Sequence, residues 1–75
     1  MDESKIREHL EEANQHIKKG EDLIEQQEER VEEMARDGHQ TQIHKEYLET
    51  LRDVQETFEK NRDSIRKELE EIREE

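Results

Sequence analysis

Four histidines are the first residues in this chain to test for chemistry: His9, His16, His39 and His44. A carboxylate-bridged dinuclear centre in a helical bundle needs Glu-x-x-His on facing helices. The residues three before these histidines are Ile6, Ala13, Arg36 and Thr41, so none supplies that carboxylate. A His-Glu-x-x-His zinc pattern is also missing. His9, Glu12 and His16 share one helical face at the right spacing for a weak surface metal, and a histidine-based metal binder is one reading to carry forward. For covalent catalysis there is no cysteine and no glycine-rich phosphate loop, and Ser4 and Ser64 lie in polar helical contexts. Carboxylates are abundant, but general acid–base work needs a water-excluded cleft to separate their pKa values. No cofactor motif is present, and the expectation is a protein that is not an enzyme.

Composition narrows the field further. Of 75 residues, 49% are charged and 25% apolar, there is no proline, and the formal charge is −11. Acids outnumber bases on both sides of the midpoint, so the charge is not held in a tail. Such a surface repels nucleic-acid phosphate and anionic lipid, leaving helical or basic proteins as the partners to expect. No apolar run is long enough to span a membrane, and a cytoplasmic protein is expected.

What organises the chain is the spacing of its few apolar residues. In the first arm Ile6, Leu10, Ala13, Ile17, Gly20, Ile24, Gln27, Val31 and Met34 follow in steps of four and three. This is the heptad seam of a helix with one partner. Asp2 and Ser4 are candidate N-caps for it. The pattern stops at Asp37, Gly38, His39, Gln40 and Thr41. Gly38 suits the left-handed position after a helix, and Thr41 suits the N-cap of the next. A second stripe then runs Tyr47, Leu51, Val54, Phe58, Asn61, Ile65, Glu68 and Ile72.

The sequence therefore predicts an all-α fold, a single antiparallel two-helix coiled-coil hairpin. The first helix is expected over about 4–37, the turn over 38–41 and the second helix over about 42–73. Folding at His39 sets Val31 against Tyr47, Gln27 against Leu51 and Ile24 against Val54. Gly20 then meets Phe58, Ile17 meets Asn61, Ala13 meets Ile65, and Ile6 meets Ile72. Gly20 against Phe58 reads as a small residue accommodating a large one. Leu23, Ile43, Leu48 and Leu69 stand beside this seam as a candidate dimer face. So thin a hairpin buries little area alone, and a homodimeric four-helix bundle is expected.

The residues His16-Ile17-x-x-Gly20-Glu21, Ile24, Gln27 and Val31, the turn Asp37-Gly38-His39-x-Thr41, and Arg62-Asp63 together resemble a known group. It comprises small, uncharacterised helical-hairpin proteins of rhizobia and related alphaproteobacteria. The likeness covers roughly His16 to Leu69, with Gln40 where those relatives often carry aspartate. It implies a bacterial cytoplasmic protein and brings no activity with it. The functional expectation is a non-catalytic interaction or oligomerisation module. The alternative from another class is an acidic antagonist, DNA-mimic or antitoxin-like, covering a basic protein surface.

Overall fold

The computed structural model describes residues 2–74. It contains two helices, α1 (Glu3–Arg36) and α2 (Gln42–Glu74), packed antiparallel along their length in a rod with a Cα extent of 59 Å. With no proline to interrupt either run, each helix continues for more than thirty residues. Asp2 caps α1, its Oδ1 accepting from the Ser4 amide at 3.3 Å. Along the exposed surface Arg7 reaches Glu3 and Lys60 reaches Glu56, each one turn away.

The turn is built by two backbone bonds around one glycine. Gly38 has φ +78°, its amide donates to Ala35 O at 3.2 Å, and the His39 amide donates to Met34 O at 3.0 Å. This is the Schellman arrangement, which satisfies two of the last carbonyls of α1. The Thr41 carbonyl accepts the Lys45 amide at 2.9 Å and so opens α2. The structure engages Thr41 through this carbonyl. Gln42 then begins the second helix.

On α1 the seam comprises Ile6, Leu10, Ala13, Ile17, Gly20, Ile24, Gln27, Val31 and Met34, every one buried or half-buried. On the second arm the inward residues are Thr41, just before α2, and His44, Leu48, Leu51, Gln55, Phe58, Arg62, Ile65, Leu69 and Ile72 within it. This corrects half of the second stripe. Tyr47 and Val54 are 51% and 44% exposed, and Asn61 and Glu68 also face outward. Their places are taken by the residues immediately following them: Leu48, Gln55, Arg62 and Leu69. Leu48 and Leu69 therefore belong to the intrachain core, at 9% and 7% exposed, and not to a dimer face.

The register changes with the phase. A Cβ on Gly20 would meet the side-chain amide of Gln55, with Gln55 Cδ at 2.8 Å, so Gly20 faces Gln55 rather than Phe58. Every inward residue of α1 then finds an inward residue of α2. Ile6 lies level with Leu69, Ile17 with Phe58, Ile24 with Leu51 and Gln27 with Leu48. The Schellman turn reverses the chain between Asp37 and Gly38, which slides the second arm by three residues relative to a fold centred on His39. Small and large residues remain matched: Gly20 makes room for Gln55, and Ala13 lies level with Arg62. The Arg62 stem runs along the seam and its guanidinium reaches Asp63 at 3.1 Å.

Two buried glutamines tie the helices together in opposite directions. Gln27 on α1 donates through Nε2 to His44 O at 3.1 Å, and Gln55 on α2 donates to Ile17 O at 2.8 Å. Both are 7% exposed. A buried amide that reaches a backbone acceptor avoids most of its desolvation cost, and a displaced register would forfeit that bond. Among the described residues no donor reaches Gln55 Oε1. The hydrogen that Gly20 carries in place of a Cβ points at it, which supplies a weak C–H···O contact and no more.

Candidate functional site

With the seam assigned, the hairpin has two broad lateral faces, and they differ in kind. On one flank of α2 stand Lys45, Glu49, Arg52, Glu56, Glu59, Asp63, Arg66, Glu70 and Arg73, without an uncharged member. The interhelix ion pairs lie here: Arg52 to Glu28 at 2.9 Å and Arg73 to Glu3 at 3.3 Å. Arg73 and then Arg7 hold the Glu3 carboxyl below the usual carboxylate range, chiefly through their hydrogen bonds to it.

The other flank of α2 reads Ile43, Tyr47, Thr50, Val54, Thr57, Asn61 and Ser64, again in steps of four and three. All seven are exposed and none carries a charge, in a chain that is 49% charged. The row is more apolar than its composition suggests. Thr50 and Thr57 direct their hydroxyls back onto the Glu46 and Asp53 carbonyls at 3.1 and 3.2 Å, satisfying those oxygens within the helix. Beside this row, α1 contributes Leu23 at 48% exposed, while Ile43 is 78% exposed. Among the described residues, Leu23, Ile43, Tyr47 and Val54 are the large apolar side chains that the fold leaves in solvent.

Two shallow open grooves lie between the helices on this face. One, of about 220 Å³, is lined by Leu23, Gln26, Gln27, Arg30, Tyr47 and Leu51. The other, of about 350 Å³, is lined by His9, Glu12, Ala13, His16, Asn61 and Ile65. His16 stacks on Phe58 with ring centroids 5.6 Å apart, so its imidazole covers the edge of a seam residue. Neither groove encloses a reacting group. Among the described residues no set of three or more His, Cys, Asp or Glu side chains is disposed to hold a metal ion. His9, Glu12 and His16 share their groove without forming a ligand set.

The structure places the remaining sequence candidates as follows. Asp37, Gly38, His39 and Thr41 form the turn, with His39 exposed at its tip. Leu23 and Ile43 remain on the surface, separated from Leu48 and Leu69 in the core. The uncharged row was not singled out from the sequence. Its signal is an absence of charge at heptad spacing, which a search for apolar residues passes over. No helix among the described residues is long and apolar enough to cross a membrane. Comparison of the chain with protein-family models, with curated proteins and with solved structures finds no match.

Proposed function

We propose that this chain is a non-catalytic interaction module, an antiparallel hairpin that self-associates into a four-helix bundle through the face bearing the uncharged row of α2. The reading rests on the unequal treatment of the two flanks. One is charged at every position and holds the interhelix ion pairs; the other carries no charge from Ile43 to Ser64 and leaves Leu23, Tyr47 and Val54 half in water. Solvated helix faces in an acidic chain have no reason to exclude charge over about six turns, whereas a face covered by another helix pair does. The outward flank keeps the assembly soluble. A cytoplasmic setting fits the acidic, cysteine-free composition, and a bacterial one rests on the family resemblance alone.

The acidic-antagonist reading draws less from the geometry. Lys45, Arg52, Arg66 and Arg73 are interspersed among the acids along the charged flank, where a phosphate mimic needs acids alone. Concentration-dependent melting tests the module. A hundredfold rise in chain concentration stabilises a dimer by about 2.7 kcal/mol. For a bundle of this size that raises the midpoint by about 5–10 °C. A midpoint independent of concentration, with a solution mass of 9.2 kDa, contradicts the reading.

A further inference from the structure

We propose that the two copies pack face to face and antiparallel, with a two-fold axis passing beside Val54, so that their turns lie at opposite ends of the bundle. This rests on the self-association reading above and adds to it an orientation and specific pairs.

Two independent centres coincide. On α2 the uncharged row runs from Ile43 to Ser64, and Val54 is the fourth of its seven members. On α1 the same face carries Glu12 and Arg30, equally spaced about residue 21, and His9 and Glu33, equally spaced about the same residue. The register that sets Gly20 against Gln55 puts residue 21 level with Val54. An axis at that level brings Glu12 to Arg30 of the partner subunit and His9 to Glu33 of the partner subunit, each pair occurring twice. On α2 it brings Val54 to the partner's Val54 and sets Thr50 within one residue of the level of the partner's Thr57.

The two grooves exchange under the same axis. Each Tyr47, which lines the smaller groove, meets the partner's larger groove at the level of the partner's Asn61. An amide and the nearby carboxylate of the partner's Glu12 are acceptors for the phenol, and the aromatic body leaves water. The alternative two-fold, along the rod with both turns at one end, lays α1 over the partner's α2. Glu12, Arg30 and Glu33 then face the uncharged row and lose water without gaining a counter-charge. Self-complementarity of charge therefore selects the antiparallel arrangement. The uncharged row is roughly 30 Å long and two helices are roughly 20 Å wide, giving on the order of 600 Å² of flat area per copy. That is sufficient for a specific interface of about 1,200 Å² in total.

The chain has no cysteine, so a single nitroxide label at His39→Cys reports the distance between turn tips. Twelve residues separate Val54 from the start of α2, and the antiparallel dimer places the tips roughly 40 Å apart or more. A distance below about 25 Å in a chain that sediments as a dimer overturns the orientation while leaving self-association intact. A chain that remains monomeric overturns both. Charge exchange gives a second readout: Glu12→Arg or Arg30→Glu alone weakens dimerisation about tenfold, and the double variant recovers to within about threefold of the parent. A double variant as weak as either single one overturns the pairing.

Discussion

Gly20→Ala is the substitution that tests the interior most sharply, because its sign depends on one neighbour. At an exposed position in a long helix, replacing glycine with alanine gains about 1 kcal/mol. Here the new Cβ would meet the terminal amide of Gln55, whose Cδ lies 2.8 Å from that point. Gln55 must withdraw, and with it goes the Nε2 bond to Ile17 O at 2.8 Å. A buried hydrogen bond of this kind contributes about 0.5–1.5 kcal/mol, with a further desolvation cost if the amide stays inside. The two effects offset, so Gly20→Ala alone is expected to leave stability unchanged or to lower it by about 1 kcal/mol. In a Gln55→Ala background the obstruction is gone, and the same substitution should stabilise by about 1 kcal/mol. The coupling between the two sites is then about 1–2 kcal/mol. It is read from thermal unfolding by circular dichroism at one fixed chain concentration, where 1 kcal/mol corresponds to about 4–8 °C. Equal effects of Gly20→Ala in both backgrounds would refute the Gly20–Gln55 register.

Other consequences of the structure are open to direct measurement. Gln27→Glu keeps the side-chain shape but replaces the donor facing His44 O with an acceptor, and denaturant titration should show a loss of about 1–3 kcal/mol. Gly38→Ala meets no atom within 4 Å, so its cost is the left-handed backbone alone, about 1 kcal/mol by thermal melting. Arg73 and Arg7 depress the Glu3 pKa, so the stability it contributes is fully present above the ordinary value of 4.5 and is lost as pH falls through the lowered folded value. A carboxyl titration by nuclear magnetic resonance should put Glu3 below 4.5, and Arg73→Gln should move it back up.

The two helices and the turn between them were legible because each leaves a local trace. The steps of four and three define long amphipathic runs, and Asp37-Gly38 can end a helix where few other pairs can. The phase of the first arm was legible too, since little beyond Leu23 and Ala35 competes with its seam. The second arm carries two candidate rows: Tyr47, Val54, Asn61 and Glu68, or Leu48, Gln55, Arg62 and Leu69. Each contains two apolar and two polar members, so hydrophobicity does not separate them. Size complementarity does not separate them either, because Gly20 meets a large residue in both registers, Phe58 in one and Gln55 in the other. The turn added to the error. Counting its loop from Gly38 to Thr41 centres the fold on His39, whereas the backbone bonds from Gly38 and His39 to α1 reverse the chain earlier. The uncharged face was hidden for a related reason: its Thr, Asn and Ser members look like ordinary surface until the opposite flank is seen to be charged throughout.

On the proposed reading, the face bearing Tyr47 and Val54 covers itself with a second copy while the seam holds each hairpin together. Sedimentation equilibrium of the parent and of Tyr47→Glu/Val54→Glu tests it most directly, with helicity recorded alongside. The parent is expected at twice the 9.2 kDa chain mass, and the variant at the single chain mass with its helical spectrum kept. A parent that sediments as one chain, or a variant that remains a dimer, would contradict it.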